Sequence, residues 1–296
     1  MTIGNGDEVR TAVREHYGQE ARKAAIAGDG APTPASDAIG RSLYDAGDRE
    51  SLPEAALVAS LGCGNPTVLA QLRPGEVVLD LGSGGGIDVL LSARRVAPTG
   101  KAYGLDMTPE MHQLAQRNQT DAGVTNAEFL LGTIEDIPLP AASVDVIISN
   151  CVLNLAADKA TVFREAFRVL RPGGRLAVSD IVLRRPLPPR ITELVGLWTG
   201  CVAGALPESV FRSELMAAGF QDVDIEPANV FGRTDLQTMA SQLDPAVIPP
   251  DVDVAATLDE LDGVVMSAFV RARKPMTQPT QISDHDHGQQ SGELTE

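Results

Sequence analysis

The stretch EVVLDLGSGGGIDVLLSARRVA, residues 76–97, carries the signals that decide the fold. It begins with a short apolar run, continues through a glycine-rich turn and ends in a segment with helical composition. Glycine has no Cβ and tolerates positive φ, so the backbone of such a turn can approach a ligand closely. The stretch therefore predicts a strand, a ligand-binding turn and a helix.

The same pattern continues on the carboxyl side of this unit. Predicted strands alternate with predicted helices, which indicates βαβ units and a mostly parallel sheet with helices on both faces. We expect an α/β fold with a seven-stranded, Rossmann-like sheet. The predicted strands are residues 76–82, 101–107, 127–133, 143–150 and 175–183, and the predicted helices are residues 86–97, 109–123 and 159–170.

The rest of the chain divides around this core. Residues 1–70 are predicted to form an N-terminal segment with a helix at 8–28, and residues 71–185 to form the core. Residues 186–274, which start at a proline-rich break, are expected to form a C-terminal α+β extension with a helix at 207–220 and a late strand at 264–274. Residues 275–296 are polar and aperiodic, which predicts a disordered tail.

The charge balance disfavours several classes of function. The chain has 40 acidic and 24 basic residues and a net charge of -16, which repels nucleic-acid phosphates and anionic membranes. The sequence has no apolar run near the ~20 residues that a membrane helix requires, and no secretory signal pattern. Three cysteines are too few for a disulfide scaffold, so we expect a cytoplasmic protein without nucleic-acid or membrane partners.

Acidic residues beside the glycine turn narrow the choice of cofactor. Asp80 precedes the glycines, where it would repel a pyrophosphate and favour a ligand with a cationic amino-acid end. Asp106 ends the next predicted strand, where it is suited to ribose hydroxyls, and Ile134 with Glu135 follows the third strand, where the pair is suited to an adenine ring. A nicotinamide-binding domain remains the alternative, because the glycine pattern alone serves several cofactors.

Each of the three cysteines lies in a distinctive context. Cys63 stands between glycines before the core, Cys151 follows the apolar run at 143–150, and Cys201 follows Gly200 in the C-terminal region. A single buried cysteine is usually an inert small hydrophobe. Cys151, however, is predicted at the carboxyl end of a parallel strand, which is where open α/β sheets bind ligands.

Two resemblances combine these features. The order of helix, Pro-Gly-Gly turn and strand in RVLRPGGRLAVSD resembles class I S-adenosylmethionine-dependent methyltransferases over residues 70–182. The motifs GCGNP, DLGSGGGID, LDMTPEM, SNCVLNL and GCVAGAL, in this order, resemble the arsenite S-adenosylmethionine methyltransferases over about residues 8–273. This second resemblance implies that Cys63, Cys151 and Cys201 bind trivalent arsenic and that S-adenosylmethionine donates the methyl group.

The resemblance also implies a set of cofactor-binding residues. Tyr17 either caps the methionine end of the cofactor or is an ordinary tyrosine on a helix face. Asn150 either holds the cofactor, fixes the backbone of Cys151 or simply ends a strand. The full set is Tyr17, Asp80, Gly82, Ser83, Gly84, Gly86, Asp106, Met107, Ile134, Glu135 and Asn150.

One segment departs from the family pattern. Many relatives have a further cysteine in the N-terminal loop, whereas residues 28–45 have none. A relay of protein disulfides is therefore in doubt, and external thiols such as glutathione or thioredoxin are the expected reductant. The expected substrate is arsenite, free or as a glutathione adduct.

The chemistry of arsenic is consistent with these residues. Trivalent arsenic is soft and binds thiolates, and its lone pair is the nucleophile, so no general base is required. A methyltransferase for a small organic acceptor such as a quinone or sterol remains an alternative. A protein that binds a metalloid without turnover is a further one.

Overall fold

A computed structural model of the chain describes residues 6–27, 70–188, 202, 204–241 and 252–276. These residues contain seven strands, seven α-helices and one 3-10 turn, Leu153–Leu155. The strands are β1 (Val77–Leu81), β2 (Lys101–Asp106), β3 (Ala127–Leu131), β4 (Val144–Asn150), β5 (Leu170–Leu183), β6 (Gln221–Val230) and β7 (Val265–Arg273). The helices are α1 (Gly6–Ala27), α2 (Ile87–Val96), α3 (Pro109–Asp121), α4 (Lys159–Val169), α5 (Glu208–Ala217), α6 (Arg233–Ser241) and α7 (Val254–Leu261).

All seven strands belong to one sheet, in the order β3-β2-β1-β4-β5-β7-β6. Strands β1 to β5 pair in parallel, and β7 is antiparallel to both β5 and β6. The predicted α/β fold with a mostly parallel, seven-stranded sheet is thus confirmed. From β1 to β3 the chain adds strands on one side of β1, and it then crosses over to add β4 and β5 on the other side. The strand order therefore reverses between β1 and β4. Ligands of open α/β sheets bind at such a reversal, beyond the carboxyl ends of the strands.

Hydrophobic layers cover both faces of the sheet. On one face, Val78 and Val146 pack with Leu90 of α2. On the other, Leu79 and Ile147 pack with a cluster that includes Phe163 and Phe211 from α4 and α5. Successive strand side chains point to opposite faces, so a strand buried on both sides needs an unbroken apolar run. This explains why the sequence of β4 is apolar along most of its length.

The C-terminal region differs in detail from the prediction. The predicted helix at 207–220 and strand at 264–274 are present as α5 and β7. Strand β6 was not predicted, and most of its residues are exposed because it forms the edge of the sheet. Strand β5 begins at Leu170, so the predicted Pro-Gly-Gly turn lies within the bounds of the strand, with Gly173 at φ 78°. Nearly all of the predicted tail lies outside the described residues.

Among the described residues, none of the helices is long and apolar enough to span a membrane.

Candidate active site

A cleft opens beyond the carboxyl ends of β1, β2 and β4, where the strand order reverses. It encloses about 1020 Å³ of empty space, part of which is open to solvent. The cleft brings together residues from α1, the glycine turn, the ends of three strands and the 3-10 turn. Its lining residues are Val13, Tyr17, Asp80, Gly82, Ser83, Gly84, Gly85, Ile87, Asp88, Leu105, Asp106, Met107, Thr108, Met111, Gly132, Ile134, Glu135, Asn150, Cys151, Val152, Leu155 and Ala156.

The glycine turn is anchored to the neighbouring strand and leaves room for a ligand. The N–H groups of Gly82 and Ser83 both donate to the carbonyl of Leu105, at 2.8 and 3.0 Å. A Cβ on Gly84 would find its nearest neighbour 4.0 Å away, so the absence of a side chain keeps this part of the cleft open. A Cβ on Gly82, at φ 72°, would instead lie 2.5 Å from both methyl carbons of Val152.

Gly86 has a structural position behind the turn. It does not line the cleft, although it was predicted to bind the cofactor. It caps α2 at φ 86°, and a Cβ there would lie 2.7 Å from the ring of Phe129. This glycine therefore allows the start of α2 to pack closely on the sheet.

Asp106, at the end of β2, is held in a fixed orientation. Its Oδ2 accepts from the N–H of Gly84 at 2.9 Å, and its Oδ1 accepts from the N–H of Thr108 at 2.8 Å. Burial raises the pKa of this carboxyl, although the two N–H groups act in the opposite direction. Each oxygen keeps acceptor capacity for a further donor, which suits a pair of ribose hydroxyls.

The cleft is strongly acidic. Asp80 is 3% exposed, and burial raises its pKa well above the ordinary value, with a further increase from the carboxylates of Asp88 and Asp106. Glu135 adds a fourth carboxyl group, and none of the described lining residues is a lysine, arginine or histidine. Such a cleft favours a cation. S-Adenosylmethionine fits this requirement, because its sulfonium and ammonium groups outweigh its carboxylate.

Helix α1 forms one wall of the cleft through Val13 and Tyr17, which lie one turn apart on the same helix face. Tyr17 and Ala21 pack against a hydrophobic cluster on α3 that includes Met111. This packing holds the predicted N-terminal helix beside the residues that were predicted to bind the cofactor.

Cys151 lies at the floor of the cleft, directly after β4. It is 3% exposed and has a left-handed backbone conformation with φ 57°. Its N–H donates to the carbonyl of Ser179 in β5 at 2.8 Å, and its sulfur atom is part of a disulfide bond. The predicted ligands Cys63 and Cys201 lie outside the described residues.

Comparisons with known proteins agree with this arrangement. Residues 72–239 match a family described as a methyltransferase domain. The chain is similar to an arsenic(III) S-adenosylmethionine methyltransferase from Chlamydomonas reinhardtii whose structure is solved. The TM-score is 0.58 and the identity 30%, over 86% of this chain and 77% of that one. The chain belongs to the arsenite S-adenosylmethionine methyltransferase family.

Curated members of this family extend the comparison. The chain is 44% identical to the arsenite methyltransferase of Halobacterium salinarum, over 75% of this chain and 59% of that protein. It is 31% identical to that of Homo sapiens, over 67% of this chain and 54% of that protein. The chain thus spans little more than half the length of the curated arsenite methyltransferases that it matches. The family's class I fold and its use of S-adenosylmethionine agree with the sheet and the acidic cleft.

Several lining residues were missed by sequence reasoning, although some of them had signals. Asp88 comes directly after the glycine turn, and Val13 lies four residues before Tyr17 on the same helix. Val152, Leu155 and Ala156 face the cleft because a 3-10 turn follows Cys151, and that turn has no local signal in the sequence.

Proposed function

We propose that this chain transfers methyl groups from S-adenosylmethionine to trivalent arsenic held by the thiolates of Cys63, Cys151 and Cys201. The observation that carries the proposal is the position of Cys151, which lines the same cleft as the acidic cofactor residues. A thiolate there would hold arsenic beside the cofactor. We further propose that residues 1–70 cover the cofactor and supply Cys63, and that residues 186–274 supply Cys201.

The disulfide at Cys151 supports the convergence of thiols. Two sulfurs that can bond to each other are also close enough to share one arsenic atom. The disulfide is the oxidised form of the site. Two external thiols, such as two glutathione molecules or the dithiol of thioredoxin, must first reduce it; they leave as a disulfide, and the two protein thiols are released.

The reduced site can carry the reaction without a general base. Arsenous acid and three cysteine thiols give a trigonal arsenic trithiolate and three water molecules, so all atoms balance. When bound, S-adenosylmethionine supplies an electrophilic methyl group on its sulfonium. The cysteines hold the arsenic lone pair in position, and the apolar side chains of Val152 and Leu155 exclude water beside it. Each methylation leaves arsenic formally pentavalent, and external thiols must reduce it before another methyl group is added.

The test is arsenic speciation after incubation of the reduced protein with arsenite, S-adenosylmethionine and excess glutathione. We expect methylated arsenic from the wild type and none from Cys151→Ser. Isothermal titration with S-adenosylmethionine serves as the control, because the serine variant should still bind the cofactor. If the wild type binds the cofactor but forms no methylated arsenic, the proposal is wrong and an organic acceptor becomes the better candidate.

A further inference from the structure

The segment that carries Cys151 is held by an unusual set of buried polar groups. Cys151 has φ 57°, a left-handed backbone conformation that is strained for a residue with a Cβ unless its surroundings stabilise it. In the carboxyl direction, Cys151 leads directly into the 3-10 turn that lines the cleft. The contacts of that turn therefore decide where the thiol lies.

Asn154 ties this turn to strand β5. It is 3% exposed, and its Nδ2 donates to Oδ1 of Asp180 and to the carbonyl of Ile181, both at 2.8 Å. The N–H of Ile181 donates to the same Oδ1, also at 2.8 Å. Together with the bond from the N–H of Cys151 to Ser179, these contacts fix both ends of the segment from Cys151 to Asn154.

A lysine holds the turn from its other side. Nζ of Lys159 donates to the carbonyls of Asn154 and Ala156, at 3.3 and 3.0 Å. These carbonyls end the 3-10 turn, where a cation compensates acceptors that the turn leaves unpaired. The ammonium group of Lys159 also interacts electrostatically with the carboxylates of Asp180 and Glu135.

The arrangement lowers the stability of the fold, since Asp180 is fully buried and forms no ion pair within 4 Å among the described residues. Its Oδ2, the Oδ1 of Asn154 and the Oγ of Ser179 have no hydrogen-bond partner within the described parts of the chain. An apolar core at this place would be more stable. A buried acid that costs folding free energy beside a functional thiol indicates a role in positioning that thiol.

We propose that Asp180 and Lys159 are positioning residues for the arsenic-binding thiol, and that they act through Asn154 to hold the segment 151–156 in its left-handed, cleft-lining conformation. The inference rests on the proposed function, because it assigns a purpose to the position of Cys151. It adds to that function a supporting acid, a supporting cation and the amide that joins them to the cysteine loop.

The ionisation state of Asp180 determines the strength of its hydrogen bonds with Asn154 and Ile181. Burial raises the pKa of Asp180 to about 7, while the N–H groups of Ile181, Asn154 and Leu153 and the charge of Lys159 oppose the increase. Burial lowers the pKa of Lys159, and Asp180 and Glu135 act to raise it. Among the described residues, Asp180, Lys159 and Glu135 are the charged groups that interact here, and Ala268 of β7 lies opposite Asp180.

The support therefore weakens in mild acid. An ionised carboxylate accepts the hydrogen bonds from Asn154 and Ile181 more strongly than a protonated one. We expect the affinity for arsenite to fall as the pH decreases through about 7. The substitution Asp180→Asn should abolish this inflection, because asparagine does not titrate.

The experiment compares two asparagines that each donate two hydrogen bonds from Nδ2. Asn126 also donates two bonds from Nδ2, to the carbonyls of Ala93 and Gly100 at 2.7 and 3.1 Å, outside the cleft. Asn154→Ala should weaken arsenite binding to the reduced full-length protein about tenfold. Asn126→Ala should change it less than about twofold and should leave cofactor affinity unchanged, because Asn126 lies outside the cleft.

A second measurement does not depend on arsenic. With Cys63 and Cys201 replaced by serine, the rate of Cys151 alkylation by iodoacetamide reports how often this buried thiol opens to solvent. Asn154→Ala, Asp180→Asn and Lys159→Met should each accelerate it about fivefold or more, whereas Asn126→Ala should not.

The outcomes separate the two proposals. If the wild type forms no methylated arsenic but the alkylation rates differ as expected, the proposed function fails and the positioning role stands. If the two asparagine variants behave alike, or Asp180→Asn keeps the inflection near neutral pH, the positioning role is wrong.

Discussion

The amino and carboxyl ends of the parallel sheet differ in how they compensate the charge of acids that are half-buried or fully buried. At the amino end, Glu76 is paired with Arg175, with Oε1 and Oε2 at 2.7 and 2.8 Å from the guanidinium. Burial acts to raise the pKa of Glu76, but the bonds from Arg175 and the N–H of Arg73 bring it below the ordinary value. At the carboxyl end, burial raises the pKa of both Asp80 and Asp180.

The difference separates residues that stabilise the fold from residues kept for a ligand. The amino end resolves its charges within the protein, so those acids add to the free energy of unfolding when ionised. The carboxyl end buries carboxyl groups without enough positive charge beside them, which lowers the free energy of unfolding. A cationic ligand that binds there, or a loop that donates hydrogen bonds to them, would offset this cost. Three predictions test this contrast.

The largest expected effect is a difference in the sign of pH dependence. The pKa of Asp180 is raised from 3.8 to about 7, so its stabilising contribution is complete below pH 4 and is lost as the pH rises to 7. Between pH 5 and pH 8, the wild type should therefore lose about 3 kcal/mol of unfolding free energy relative to Asp180→Asn. Urea unfolding of both proteins at each pH measures this difference.

Glu76 should give the opposite sign in the same experiment. Because its pKa is lowered, its contribution is present above 4.5 and is lost as the pH falls through the lowered value. Glu76→Gln should thus be less stable than the wild type near neutral pH, and the gap should narrow in acid. Equal slopes for both variants would remove the contrast between the two ends.

The next effect is on cofactor affinity. Asp80→Asn removes one charge from the acidic cleft, and we expect S-adenosylmethionine to bind about 100-fold more weakly. The same variant should gain stability relative to the wild type as the pH rises, because burial opposes ionisation of Asp80 and asparagine does not titrate. Isothermal titration and a thermal melt measure both, and Glu76→Gln, with unchanged cofactor affinity, is the control. A loss of affinity together with a loss of stability would indicate damage to the fold instead.

The smallest effect is confined to stability. Arg175→Ala leaves Glu76 half-buried without its guanidinium and removes bonds to the carbonyls of Ala70 and Gln71. We expect the free energy of unfolding to fall by about 2 kcal/mol, with cofactor affinity within about twofold of the wild type. A large fall in affinity would mean that the amino end also shapes the cleft.

Local signals in the sequence account for the core of the fold. The apolar run of β4 and the glycine turn after β1 are sufficient to predict parallel strands and a ligand at their carboxyl ends. Strand β6 has no such signal. It contains Pro227 and exposed acids, and it is held by pairing with β7 in an antiparallel register that depends on residues distant in the sequence. Its pairing is reinforced by Arg271, which donates to Asp224 and Glu226.

The site was predictable to the same extent. Asp80, Asp106 and Cys151 follow apolar runs, and this position alone indicates the rim of the sheet. The left-handed backbone of Cys151 and the link from Asn154 to Asp180 depend on tertiary contacts between β4, the 3-10 turn and β5. No local pattern in SNCVLNL or RLAVSDIVL predicts that these two segments meet through an amide and a carboxylate.

The missing Cβ of Gly82 has a consequence for the order in which ligands bind. Val152 occupies the space that a side chain at Gly82 would need, and it is the residue next to Cys151. The loop that carries Cys151 is therefore in close contact with the glycine turn that lines the same cleft. Thermodynamic linkage requires that, if one ligand changes the affinity of the other by some factor, the second ligand changes the affinity of the first by the same factor. Under the proposed function, we therefore expect a shift of either loop to change the affinity of both the cofactor and arsenite sites.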